Sequence, residues 1–349
     1  MNKLVQAEIT RMSEVQPEPI EWLLPGFIAY GKLSIIMGDP ALGKSLVTLD
    51  LAARITKESP WPANNGSAQI GDVLLISNED DPADTIRPRL DAAGADSNRV
   101  HLLSFIREID GSGKRLFSLS EDVDVLMAFL SNHPLCRLVI IDPISSYLCG
   151  TDGNNNIEMR SILAPLVDLA QMYKVAILCV THINKSEHRT SLNRMSGSIA
   201  FGALARFVFV VIKDQENPKR RLMLQAKNNL AEDAKGLAYS VKDIDGFPVV
   251  VWENEYVTVS ADAAFLGENK QKTSEINDAV SWLMELLSSG KMKSKEVAVL
   301  AQGEGFSVAT IRRAKKKLGV ISIREEYGEE GSWWCELPKA LIYPIDAQP

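Results

Sequence analysis

Short apolar runs at 33–37, 73–77, 100–105, 138–141, 175–181, 207–211 and 222–226 punctuate the first two thirds of the chain. The earliest are unbroken rather than alternating, which is how strands covered on both faces read. Between them lie longer stretches with helical spacing, 44–55, 82–93, 121–131 and 158–172. Strand and helix in alternation predict an α/β domain over 1–262, a mainly parallel sheet with helices on its faces. The runs 207–211 and 222–226 flank the polar turn Asp214-Gln215-Glu216-Asn217-Pro218. They are expected to form an antiparallel hairpin added at the sheet edge.

The pattern then changes. Residues 267–274 are polar and aperiodic, and 263–274 read as a linker. Beyond it, 275–287, 295–302 and 307–318 have amphipathic helical spacing, and 320–324 and 333–337 read as short strands. Helix, helix, helix, hairpin is the order of a winged helix-turn-helix, expected over 275–340. Trp333 and Trp334 project to opposite sides of their strand, so one is expected in the small core and the other half exposed.

Composition sharpens this picture. The 349 residues are 46% hydrophobic and 24% charged, enough to bury a core. A net charge of −7 excludes a uniformly basic coat for nucleic acid and leaves room for local basic patches. Cys136, Cys149, Cys179 and Cys335 lie far apart and form no disulfide framework, as in a reducing cytosol. No apolar stretch approaches the roughly 18 residues of a membrane span, and the first residues lack a signal-peptide core. A soluble cytoplasmic protein is expected.

The strongest chemical signal is Gly38-Asp39-Pro40-Ala41-Leu42-Gly43-Lys44-Ser45, a complete G-x-x-x-x-G-K-[ST] between an apolar strand and a helix. Its glycines let backbone N–H groups converge on phosphate oxygens, and the helix N-terminus adds its dipole. Lys44 is expected to reach the β- and γ-phosphates, Ser45 to ligand Mg²⁺, and Leu46 to continue the cradle. These residues predict ATP and Mg²⁺ as cofactors. The run 138–141 ends in Asp142, the acid a phosphate-loop enzyme needs for its metal. Glu79, after 73–77, is placed to act as general base toward an attacking water, while Asp80 or Asp81 is a candidate helix cap. Cys179, His182 and His188 make a poor zinc set, because Cys179 sits in an apolar run without a fourth donor nearby.

Together with these, residues 20–26, 31–38, Ser77-Asn78-Glu79-Asp80-Asp81, Ile141-Asp142-Pro143-Ile144-Ser145 and Val180-Thr181-His182-Ile183-Asn184-Lys185 resemble the RecA-like ATPases of the RepA and DnaB-type helicase group. More narrowly they look like the RepA-like ATPases of mobile elements. The resemblance covers 20–253 and implies a RecA-like fold, a hexameric ring, and ATP sites shared between subunits. It implies Glu79 as catalytic glutamate, Asp142 as metal-organising acid and His182 as the sensor of the γ-phosphate. It also implies a cation supplied in trans. Arg206, a lone charge in an apolar run, matches the RepA finger, with an internal salt bridge as its other reading. Lys227 matches the second cation of DnaB-type enzymes, whose Lys-x-Arg is here Lys227-Asn228-Asn229. That departure shifts weight to Arg206.

In such motors two loops face DNA. The first, 150–156, carries no cation. The second, 184–198, holds Lys185, Arg189 and Arg194 among hydroxyl and amide side chains, suited to a single-stranded backbone. A further basic surface is the segment with Arg312, Arg313, Lys315, Lys316 and Lys317, after the candidate N-cap Ser307. Residues 275–349 hold ten basic and eleven acidic groups, so their positive charge is focused on that helix, Arg312, Arg313 and Lys316 above all. Glu325, Glu326, Glu329 and Glu330 in the following turn would repel phosphate, which leaves a protein partner open. The resulting reading is an ATP-hydrolysing DNA helicase or translocase in mobile-element replication, working with replication proteins. Its rival is an ATP-switched DNA-binding regulator or loader; a small-molecule kinase lacks an evident acceptor pocket.

Overall fold

The computed structural model describes residues 9–107, 113–148, 156–183, 199–232, 235–288, 290–325 and 332–338. The chain divides into two compact units, Met1–Ala264 and Phe265–Pro349. Among the described residues, no helix is long and apolar enough to cross a membrane.

The first unit opens with a ribbon of β1 (Trp22–Leu24) and β2 (Ile28–Ala29). Then follow β3 (Leu33–Gly38), α1 (Lys44–Lys57), β4 (Asp72–Ile76), α2 (Arg87–Ala92) and β5 (Val100–Leu103). A second ribbon, β6 (Ile106–Arg107) with β7 (Lys114–Arg115), precedes α3 (Val123–Asn132), β8 (Cys136–Ile141), α4 (Asn156–Tyr173), β9 (Ala176–His182) and α5 (Ile199–Leu204). Four strands close the unit: β10 (Phe207–Lys213), β11 (Arg220–Asn228), β12 (Leu237–Ile244) and β13 (Phe247–Trp252).

Nine of these strands form one sheet in the order β13-β12-β11-β10-β3-β9-β8-β4-β5. From β10 to β5 every pairing is parallel, and β11, β12 and β13 add antiparallel pairings. The unbroken apolar runs are therefore the central strands: every residue of β3 is buried, as are Leu138–Ile141 of β8. Chain neighbours β3 and β4 are separated in the sheet by β9 and β8, so the strand order reverses beside β3. That reversal opens a crevice at the strands' C-terminal ends.

The expected edge hairpin is corrected. β10 pairs with β3 in the interior of the sheet, and β12 and β13 extend it beyond β11. Asp245 (φ 54°) and Gly246 (φ 86°) form a two-residue turn with Ile244 opposite Phe247. Asp-Gly is a strong hairpin signal; the mixed polarity of β12 hid the strand before it. The segment 82–93 begins as a π-helical turn over Pro82–Ile86 before α2. Its cap is Asp81, whose carboxylate accepts from Ala83 N at 2.7 Å and Asp84 N at 3.2 Å.

The second unit contains most of α6 (Ala261–Ser288), then β14 (Met292–Lys293), α7 (Ser294–Gly303), α8 (Val308–Leu318), β15 (Ile321–Glu325) and β16 (Ser332–Glu336). Its strands pair as β14-β16-β15. Leu283, Leu287, Val297, Ile311, Ala314 and Cys335 meet in its core. Residues 263–274, read as an irregular linker, are helical within α6. Lys, Glu and Gln are good helix formers, and the polar run 267–274 carries no apolar period by which a helix is read. The tryptophan expectation is corrected too: Trp333 is exposed, and half-buried Trp334 lies beneath the Lys291 and Lys293 ammonium groups at 5.2 and 5.6 Å. Cys335, small and apolar, fills the core position instead.

Candidate nucleotide site

The turn from β3 into α1 carries the site. At its start, a Cβ on Gly38 would stand 2.6 Å from the Val211 carbonyl oxygen of β10, so only glycine lets the two backbones approach. Ala41 (φ 62°) and Gly43 (φ 87°) take left-handed conformations that fold the loop back to α1. Lys44, 5% exposed, bonds Gly38 O at 3.0 Å and Asp39 O at 2.8 Å, with His182 Nδ1 3.4 Å away. Burial pulls the Lys44 ammonium below its ordinary value, against the opposing pull of Asp142, Asp39 and Glu79. Asp39, Pro40, Ala41, Leu42, Ser45 and Leu46 line the same turn. A glycine-rich loop feeding a helix N-terminus is an anion cradle.

Four strand ends converge here. Gly38 closes β3, His182 closes β9 directly opposite it in register, Asp142 follows β8, and Glu79 follows β4. Asp142 is 8% exposed and accepts a hydrogen bond from the Ser45 hydroxyl. Burial raises its carboxyl to about 6; the Ser45 bond and Lys44 oppose the rise, and Glu79 and Asp80 add to it. A cleft between these groups is lined by Ser45, Thr48, Ser77, Glu79, Asp80 and Asp142. A serine hydroxyl beside a buried carboxylate is an all-oxygen donor set suited to a hard divalent cation, which would also favour the ionised carboxylate. Ser45 and Asp142 thus fit Mg²⁺.

The acids after β4 separate by partner. Asp80 pairs with Arg89 at 2.8 Å, and Asp81 caps the next turn. Glu79 is exposed toward the cleft, with Ser146 Oγ 3.5 Å from its Oε1. Beside it, the buried Tyr147 hydroxyl donates to Asn78 Oδ1 at 3.0 Å and ties the segment after β8 to that after β4. Neither Ser146 nor Tyr147 carries a sequence signal, since only the sheet order brings these segments together.

Arg206 is exposed at the N-terminal end of β10, its backbone N–H bonded to Leu33 O. No salt bridge to it occurs among the described residues. β10 runs parallel to β3 with Phe207 opposite Ser34 and Val211 opposite Gly38. Arg206 therefore lies five residues, about 16 Å at ~3.3 Å per residue, from the level of its own phosphate loop. Lys227, opposite Val208, sits at the same far end. Its ammonium bonds Gly202 O, Ala203 O and Ala205 O around the C-terminus of α5, so it is occupied as a helix cap. Lys185, Arg189, Arg194 and His188 lie outside the described residues, as does most of the first loop, 150–155.

On α8, Ser307 caps as expected, its Oγ accepting from Thr310 N at 3.1 Å. Arg312, Arg313 and Lys316 are exposed. Lys315 is instead turned to Cys335 Sγ at 3.0 Å and Lys317 to Asn277 Oδ1 at 2.7 Å. Four of the five cations are thus exposed, Lys317 with its ammonium bonded to Asn277, and Lys315 is half-buried against Cys335.

A family model described as "AAA domain" matches residues 3–188, a range that includes the phosphate loop, Glu79, Asp142 and His182. The DNA repair protein RadA of Streptococcus pneumoniae is 25% identical over 187 residues, covering 51% of this chain and 37% of the relative. RadA of Mycobacterium tuberculosis is 28% identical over 185 residues, covering 52% and 33%. The chain thus spans about a third of the length of these relatives.

Proposed function

The chain belongs to the AAA domain family, with the α/β RecA-like fold of phosphate-loop enzymes, and from that premise we propose a magnesium-dependent ATPase that acts on DNA. One observation carries the reading: Lys44, the Ser45–Asp142 pair and Glu79 converge from three strand ends onto one glycine-framed loop. Glu79 orients water for in-line attack on the γ-phosphate, and its carboxylate takes up the proton. Lys44 and the neighbouring subunit's copy of Arg206 neutralise charge on the transferring group. Magnesium, held by Ser45 and Asp142, supplies further charge neutralisation when bound. His182, within reach of Lys44, reports the state of the γ-phosphate to the segment after β9.

Calorimetry with Mg·ATP and steady-state turnover test the site. Lys44→Ala is expected to lower kcat by about 10²–10³ and to weaken binding. A Lys44→Ala protein with wild-type turnover would remove the mechanism.

The DNA partner is inferred from the charge on α8 and from relatives named as DNA repair proteins. We assign the second unit as a winged helix-turn-helix that presents Arg312, Arg313 and Lys316 to phosphates. Replacing all three with alanine should lower the magnitude of the slope of log affinity against log salt by about 3 on duplex DNA, or about 2 on a single strand, as three counterion-releasing contacts disappear. Fluorescence anisotropy over a salt series reads this; an unchanged slope makes α8 a protein-docking face. A hexameric helicase or translocase of a mobile element is the specific form proposed. Strand displacement separates it from an ATP-switched loader, which would hydrolyse ATP on DNA without unwinding.

A further inference from the structure

The hairpin β12–β13 adds no group to the chemistry, yet it touches both the phosphate loop and the helix behind it. Tyr239 of β12 is fully buried, and its hydroxyl donates to Leu42 O at 2.8 Å. Its ring packs against Trp252 of β13 with centroids 5.2 Å apart. The Trp252 indole N–H donates in turn to Asp50 Oδ2 at 2.6 Å. Asp50, buried in α1, accepts on the same oxygen from Arg54 Nε at 2.7 Å. One hairpin therefore grips the chain on either side of Lys44.

Peptide geometry says what the first grip does. The Leu42 carbonyl and the Gly43 N–H belong to one planar trans unit and point in opposite directions. Gly43 has no Cβ and sits at φ 87°, so rotation of this unit meets little steric resistance. A bond that holds the carbonyl toward β12 thereby holds the N–H the other way, into the loop. We propose that Tyr239 is a positioning residue that aims the Gly43 amide at a nucleotide phosphate. Burial also raises the phenol above its ordinary value, so the hydroxyl stays a donor throughout the physiological range. The assignment rests on the nucleotide reading above.

Tyr239→Phe keeps the ring and its packing and removes one hydroxyl. KM for ATP is expected to rise about tenfold, the worth of one buried hydrogen bond. Turnover at saturation should stay within about twofold, because a ground-state contact to a non-reacting phosphate is lost equally in the transition state. Trp252→Phe is the control for a purely structural role: it severs the Asp50 bond, lowers the melting temperature of the nucleotide-free protein, and leaves KM in place. An unchanged KM in Tyr239→Phe, or an equal rise in Trp252→Phe, overturns the assignment while the nucleotide reading stands. A wild-type protein that binds no Mg·ATP overturns both.

Discussion

In the proposed ring, Arg206→Ala is expected to lower ATP turnover by about 10³–10⁵ and to leave Mg·ATP binding nearly intact, the loss that follows when a cationic finger is removed. The reason is positional. Arg206 is exposed at the end of β10 remote from its own phosphate loop. An arginine side chain extends only about 7 Å, well short of the ~16 Å set by the strand register. It can serve a γ-phosphate only across a subunit boundary. Mixing Arg206→Ala with Lys44→Ala subunits checks this directly. Each variant supplies what the other lacks, so some interfaces regain both groups and activity returns. A mixture as inactive as its parents would exclude a trans role. Lys227 has no comparable freedom, because three carbonyls at the end of α5 already hold its ammonium.

Glu79→Gln should lower kcat by about 10²–10⁴ with little change in ATP affinity, since the amide keeps the shape and loses the basicity. The neighbouring acids supply the contrast. Asp80 is paired with Arg89 and Asp81 caps the following turn, so their loss falls on stability rather than on turnover. Single-turnover hydrolysis with separately measured Mg·ATP affinity distinguishes these effects. If Glu79→Gln turned over normally, the base would have to be sought elsewhere in the cleft.

The phosphate loop was legible because its spacing is local: eight consecutive residues specify a turn, a cation and a helix start. The strand before Asp142 was legible for the same reason, four buried residues followed by one acid. Glu79 stood out from its neighbours by its place after the apolar run, but which of Asp80 and Asp81 caps the next helix was not legible, because adjacent carboxylates differ only in what stands opposite them. Arg89 and two backbone N–H groups made that choice. The exposure of Arg206 was hidden for a related reason. An apolar run around a charge implies burial only if the charge lies inside the strand, and Arg206 stands just before β10 begins. Residues 267–274 show the limit of periodicity, which detects a helix through its apolar stripe and passes over a stretch that has none.

Pattern and spacing alone determined that this chain builds a parallel sheet with an anion cradle at the mouth of its first buried strand. Those features depend on residues within one turn or one strand of each other, where chemistry and distance along the chain coincide. Tertiary structure decided which distant groups face the cradle: Ser146 and Tyr147 beside the Glu79 segment, Tyr239 and Trp252 behind the loop, and Arg206 at the opposite end. Such contacts follow from strand order, and strand order is fixed by how the whole sheet buries its faces rather than by any segment's own pattern.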